Sequence, residues 1–191
     1  MYRKIFRGML FAAITTMSLC LLGCEPKDAD GNTYPTVKIG DQVWMAKNLN
    51  VNTEEGSWCY EHNPANCEKY GRLYTWRAAL KACPSGWHLP SKEEFERLLD
   101  IAGGAYAEMR SINLRVRSWE KGSDKYGFSA LPAGGYDGYG KEFVRLGYYA
   151  LFWSTTIYNS DYAYALDISG NYAVVAYGGK GNGLSVRCLQ D

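Results

Sequence analysis

Four kinds of side chain in this 191-residue chain could do chemistry: cysteine thiols, two histidines, neighbouring carboxylates and a glycine-rich loop. The thiols have no Cys-x-x-Cys spacing, and His62 and His88 lie far apart, so the pattern of a zinc site is missing. His88 stands in Trp87-His88-Leu89-Pro90 and reads as a core histidine. His62 sits between Cys59 and Cys67 with no nucleophile motif beside it. Asp161 and Asp167 are two isolated carboxylates around one strand, too little for general acid–base work. Gly178-Gly179-Lys180-Gly181-Asn182-Gly183 lacks the helix that must follow a phosphate cradle and reads as a loop before the last strand. In Asp28-Ala29-Asp30-Gly31-Asn32 the glycine is fourth, not sixth, and Ile39 occupies position twelve; this is a turn rather than a calcium loop. The expectation is a non-enzyme without cofactor or metal.

The amino terminus suggests where the chain works. Arg3, Lys4 and Arg7 precede an apolar run over residues 9–22 that is shorter than the roughly 20 residues of a membrane span. Its length is that of a signal-peptide core. It ends in Leu21-Leu22-Gly23-Cys24, which resembles the lipobox of bacterial lipoproteins. That resemblance implies cleavage after residue 23, a lipid on Cys24 and a membrane partner through that anchor. Residues 24–33 would be a lipidated tether and 34–191 a single domain. Glu25 stands where an inner-membrane retention signal has Asp, and Glu25-Pro26-Lys27-Asp28-Ala29-Asp30 resembles the acidic export signals of surface lipoproteins. The expected location is the outer membrane, at the cell surface.

Without Arg3, Lys4 and Arg7 the 21 basic residues fall to 18 against 20 acidic ones, a net charge of −2. A nucleic-acid binder would show a basic excess, so no nucleic-acid partner is expected. Cys20 leaves with the signal and Cys24 carries lipid. Cys59, Cys67, Cys83 and Cys188 remain, an even number in an oxidising compartment, which reads as two disulfides. Three pairings are possible. Cys59 and Cys67 flank a loop with Asn63-Pro64, natural for a local bridge; Cys83–Cys188 then closes more than a hundred residues.

The elements that must position these residues follow from periodicity. Val37-Lys38-Ile39 and Gln42-Val43-Trp44 alternate around Gly40-Asp41 as a β-hairpin. Leu73, Trp76 and Leu80 predict a first helix over about residues 70–82. Ser91-x-x-Glu94 is a capping box that starts a second, with Phe95, Leu98 and Leu99 inward and Gly103-Gly104 at its end. Residues 134–183 then hold nine tyrosines and ten glycines, and Ser169-Gly170-Asn171 turns residues 162–168 into residues 172–177. Helices early and strands late give an α+β fold. Tyrosine supplies large, rigid, amphipathic contact area, and Gly and Asn supply adaptable loops, the composition of paratopes. Tyr148, Tyr149, Tyr158, Asn159, Tyr162, Tyr172 and Tyr177 are the candidate ligand-binding residues, for a glycan or protein ligand, on a monomer.

Several segments together resemble the Fibrobacter succinogenes major paralogous domain. They are Asp30-Gly31-Asn32-Thr33-Tyr34, Ile39-Gly40-Asp41-Gln42-Val43-Trp44-Met45-Ala46-Lys47-Asn48-Leu49, Tyr70-Gly71-Arg72-Leu73-Tyr74-Thr75-Trp76, Cys83-Pro84-Ser85-Gly86-Trp87-His88-Leu89-Pro90, Phe152-Trp153-Ser154 and Ser185-Val186-Arg187-Cys188. The family often has Glu where Lys47 stands. The resemblance implies an exported lipoprotein. The family in turn is similar to the C-type lectin fold, shared with formylglycine-generating enzymes: two helices packed on a mainly antiparallel, twisted β-sheet with long loops. A lectin-type disulfide from the first helix to the final strand maps onto Cys83–Cys188. The Glu-Pro-Asn, Gln-Pro-Asp and Trp-Asn-Asp motifs of calcium-dependent lectins are absent from the chain. The carboxyl-terminal layout also resembles lectin-fold lipoproteins diversified by retroelements, with residues 181–187 as the fixed end. An envelope lipoprotein with a purely structural role is the remaining alternative.

Replacing Cys24 with Ala is expected to abolish palmitate labelling and leave the uncleaved precursor. Normal labelling of that variant would end the lipoprotein assignment.

Overall fold

The computed structural model describes residues 25–191. The expected signal peptide and lipidation site, Cys24, therefore lie outside the described residues. The chain enters through Asp28, whose carboxylate accepts from the backbone N–H of Asp30 and Asn32, the Asn32 amide and the Tyr34 hydroxyl. These protein donors take up its oxygens, and the segment is a turn.

β1 (Thr36–Ile39) and β2 (Gln42–Met45) form the expected hairpin, Ile39 opposite Gln42. Gly40 at the turn has φ 64°, a left-handed value that favours glycine. β11 (Leu189–Gln190) pairs with β2 and with β5 (Trp87–His88), so the chain's end completes a sheet in the order β1-β2-β11-β5. β8 (Ala150–Ile157), β9 (Tyr162–Ile168) and β10 (Ala173–Gly179) make a three-stranded antiparallel sheet. The predicted turn joins β9 to β10, with the Ser169 hydroxyl accepting from the N–H of Asn171 and Tyr172. Two small hairpin-like pairs complete the architecture: β3 (Ser57–Trp58) with β4 (Leu73–Tyr74), and β6 (Gly135–Asp137) with β7 (Glu142–Val144). The fold is α+β, as expected, but the strands are split among four small antiparallel sheets rather than one.

The helices need a larger correction. Instead of one helix over residues 70–82, α1 (Pro64–Tyr70) ends where that helix was to begin, and α2 (Trp76–Ala79) is a single turn. Gly71 is the cause: its φ is 74°, and a Cβ there would lie 2.7 Å from the Leu49 carbonyl oxygen. Thr75 then caps α2 by accepting from the Ala78 N–H. Leu73 and Tyr74 are spent on β4, and Leu80 is exposed, so the apparent stripe does not share one face. α3 (Lys92–Gly103) matches its prediction: both halves of the capping box form, and Phe95, Leu98 and Leu99 are buried. α4 (Ala107–Leu114) follows it without a side-chain cap, a helix beyond the two predicted.

The core lies on both sides of the β8–β10 sheet. Trp44, Phe95, Phe128, Phe152 and Leu166 fill the α3 side; Tyr34, Met45, Tyr74, Trp153 and Val186 fill the other. Cys59–Cys67 and Cys83–Cys188 are both bridged, the pairing expected, with 8 and 105 residues of separation.

In the chain-entropy account a loop of this longer size contributes about 4.7 kcal/mol and the short one about 2.5 kcal/mol. Changing Cys83 and Cys188 together to Ser should therefore cost roughly twice what the Cys59/Cys67 pair costs in urea titration. Equal losses would mean that something other than loop closure sets the contribution of these bridges.

Candidate ligand-binding face

The β8–β9 turn and the carboxyl end of β10 meet at one end of the three-stranded sheet. β9 runs back antiparallel to both neighbours, so Tyr162 stands opposite Gly179 and Tyr164 opposite Tyr177. Side chains directly opposite share a face, and this end collects four tyrosines. Tyr158 stacks parallel to Tyr177 with ring centroids 4.3 Å apart; Tyr164 meets Tyr158 edge-on at 5.5 Å, and Tyr162 meets Tyr177 edge-on at 5.8 Å. Tyr158, Tyr162 and Tyr177 are 47%, 43% and 55% exposed.

The scaffold beneath them is locked. Asn159 Oδ1 accepts from the N–H of Asp161 and Tyr162 at 2.9 Å each, and Tyr158 and Asn159 both donate to the Tyr162 carbonyl. Lys180 reaches across from the end of β10 to donate to the carbonyls of Asn159 and Ser160 at 2.9 Å each. Its ammonium also lies 4.7 Å from the Trp76 ring centroid. On the α3 side, the Lys92 N–H donates to Thr156 Oγ1 and the Lys92 ammonium sits 5.4 Å from the Tyr164 ring. The face thus offers aromatic rings ringed by fixed cations and amides.

The other candidates lie elsewhere. Tyr148, Tyr149 and Tyr172 gather at the opposite end of the sheet, about 20 Å away at ~3.3 Å per strand residue. There Tyr148 is 72% exposed, while Tyr149 lies under the Arg145 guanidinium at 4.9 Å. The Tyr172 hydroxyl donates to Asp167 at 3.4 Å. Burial raises the Asp167 carboxyl above its ordinary range, and the Tyr172 bond partly offsets this. The seven residues therefore form two groups, not one paratope. Asp161 lies just before β9 and Asp167 near its end, so they make no acid pair.

Two features had no counterpart in the sequence reading. Trp58, Tyr136, Phe143, Tyr60 and His62 form a chain of ring contacts of 4.9–5.1 Å around the Cys59–Cys67 loop. Their spacing carries no periodicity, so only the density of aromatics could have flagged them. A cavity of about 340 Å³ also opens between Asn32, Lys47, Asn50, Glu68, Tyr70 and Leu131. None of the seven candidate residues lines it.

His88 is not the core histidine expected from its motif. Its side chain is 36% exposed and held between two carboxylates, Nδ1 2.7 Å from Asp191 and Nε2 3.1 Å from Glu94. Partial burial alone would lower its pKa, but the bonds to Asp191 and Glu94 prevail and raise it. The folded-state pKa then exceeds the unfolded value of about 6.5. The stabilisation is fully present below that value and is lost as pH rises through the folded pKa. Melting temperatures should show a step of this sign in the wild type that His88→Gln removes; an unchanged profile in the variant would assign the step to other groups.

Residues 37–190 match the family described as the Fibrobacter succinogenes major domain. No curated protein and no solved structure matches the chain. The match runs from β1 to β11 and takes in both disulfides and the β8–β10 sheet. The chain belongs to the Fibrobacter succinogenes major domain family.

Proposed function

We propose that this protein is a non-catalytic binding module of the bacterial envelope, lipid-anchored through Cys24 at the outer-membrane surface, on a C-type lectin-like scaffold. The observation that carries the reading is the Tyr158/Tyr162/Tyr177 face, exposed yet fixed by Asn159 and Lys180. Rings already ordered lose little entropy on binding, and aromatic anchors supply most of the energy at small interfaces. Flat ring faces beside the Lys92 and Lys180 ammoniums suit a saccharide, whose C–H faces stack while its hydroxyls hydrogen-bond. They also suit a protein loop of mixed polarity. Placing Cys59, Cys67, Cys83 and Cys188 in disulfides supports binding over thiol chemistry. Recognition here needs no calcium, because the face has no carboxylate cluster to hold it; among the described residues no group of three or more potential metal ligands occurs.

A glycan array, together with a pull-down using residues 25–191, tests this directly. Tyr158→Ala with Tyr177→Ala is expected to weaken binding by about 2 kcal/mol, roughly thirtyfold, the loss typical of an aromatic anchor. Tyr148→Ala and added chelator should leave binding unchanged. Binding that survives the double change but disappears in Trp58→Ala would move the site to the other aromatic cluster.

A further inference from the structure

The three-stranded sheet has two edges, and they are treated differently. The outer edge of β8 is covered: Trp153 donates to the Ser185 carbonyl, Ser185 donates to Leu151, and Gly134 bridges Ala150. The outer edge of β10 has no strand beside it among the described residues. Seven consecutive residues, Ala173 to Gly179, pair with β9 in unbroken register, so the strand is long and free of a bulge. It reads Ala-Val-Val-Ala-Tyr-Gly-Gly, without a charge or a proline. The other long-sheet edge, β1, is only four residues and carries an exposed Lys38. Proteins ordinarily shield open edges with charge, proline, bulges or short length, because a row of free N–H and C=O groups is a template for another strand. β10 has none of these devices; α3 and α4 pack beside it, but of its seven residues only Ala173 is fully buried.

We propose that β10 is a homodimerisation edge, pairing antiparallel with β10 of a second copy about a twofold axis at Ala176. The sequence of the strand selects that occupant. Centred on Ala176, the five residues Val174 to Gly178 pair: Val175 meets the second copy's Tyr177 and Val174 meets Gly178, while Ala173 is buried in the core and stays outside the contact. An aromatic–β-branched pair is among the favourable cross-strand combinations, and no like charges oppose each other. Each bulky residue meets a small one or a complementary one. Geometry adds a second fit. Val175 lies on the α3 face with Leu166, its register partner. Beside it a notch of about 350 Å³ opens between Val174, Val175, Glu96, Leu99, Asp100 and Arg110. Arg110, whose buried Nε–H has no partner, is part of that lining. The pairing sets the second copy's Tyr177, 55% exposed in the single chain, on this same face at the notch's mouth.

The contact is isologous, so it closes at two copies instead of growing a fibre. It consists of one strand pair and two tyrosines, which places it among small, concentration-dependent interfaces. The proposal stands on strand geometry and does not require the ligand reading above. It does place the two tyrosine faces on the same side of one six-stranded sheet, since opposite residues of paired strands share a face.

Sedimentation equilibrium and cysteine cross-linking on the full chain test it. Ala176→Cys places two thiols at the axis and should form a disulfide-linked dimer under mild oxidant. Asn171→Cys, equally reachable at the β9–β10 turn but far from the axis, should give no more than the unsubstituted chain. The unsubstituted chain should show a mass rising towards two copies at high micromolar concentration. Ala176→Arg, checked for an unchanged melting curve, should remain a single copy. Glycan or partner binding measured on the same Arg variant separates the two claims, because the tyrosine face is left intact. A single copy at every concentration with Ala176→Cys no more reactive than Asn171→Cys would overturn the proposal and leave the edge to a strand from another protein. A dimer untouched by Ala176→Arg would overturn it equally.

Discussion

Arg187 has no exposure to water, and its guanidinium lies between the rings of Phe128 and Phe152, 4.6 and 5.3 Å from their centroids. Among the described residues no carboxylate touches it. Instead it donates to Asn48 Oδ1 and to the carbonyls of Met45, Phe128 and Ser129. Burial pushes its pKa down to about 9, with Asp124 the charge that pulls against this. The group remains cationic at neutral pH, so its charge must be answered by dipoles. A buried charge stripped of its partners is destabilising by several kcal/mol, and every group that answers this one is therefore constrained. Asn48 is held in turn, donating to the Tyr70 carbonyl and the Ser185 hydroxyl. Three of the motifs that mark the family, around Asn48, Tyr70 and Ser185-Val186-Arg187, are thus one physical unit.

That unit explains the route of the carboxyl-terminal segment. Residues 183–189 run through the middle of the molecule, bridging Tyr136, Tyr74 and Phe152 before Leu189 joins Trp44 and His88 in the first sheet. The Leu49 N–H donates to Val186 and the Met45 N–H to Cys188, beside the Cys83–Cys188 bridge. The same demand accounts for local strain. Ser129 has φ 53° and Asp124 φ 48°, left-handed values unusual outside glycine. Asp124 accepts from both the N–H and the hydroxyl of Ser129. This clasp turns the Phe128 and Ser129 carbonyls toward the guanidinium. Strain here serves a buried cation rather than a ligand site.

Local signals were the legible part of this fold. The Ser91–Glu94 capping box, the turn at Gly40 and the Ser169-Gly170-Asn171 turn each depend on residues a few positions apart, and each formed as read. The disulfide pairing was legible because the short loop between Cys59 and Cys67 suits a local bridge, which leaves Cys83 for Cys188, the pair that the family resemblance also implies. What failed was periodicity where long-range contacts outrank it. Leu73, Trp76 and Leu80 have helical spacing, yet Tyr74 is claimed by Leu184 more than a hundred residues later. Gly71 must press against Leu49. The burial of Arg187 was invisible for the same reason, since a lone arginine near a chain end reads as surface. Composition pointed to tyrosines but could not divide them. Which end of the sheet each one occupies depends on strand direction and register.

The tyrosine face inherits its rigidity from this interior. Its turn is held by Lys180, and the Lys180 carbonyl accepts from the Trp76 N–H at the start of α2. Trp76 Nε1 donates to Ser154 on β8, while Trp153 beside it donates to the Tyr74 carbonyl. Tyr74 is paired with Leu184, three residues before Arg187. A continuous set of backbone and ring contacts therefore runs from the buried guanidinium to the exposed rings. Loosening the carboxyl-terminal segment would release the turn under Tyr158 without touching a ring. The entropy that an ordered face saves on binding is supplied during folding, by the same closure that buries Arg187.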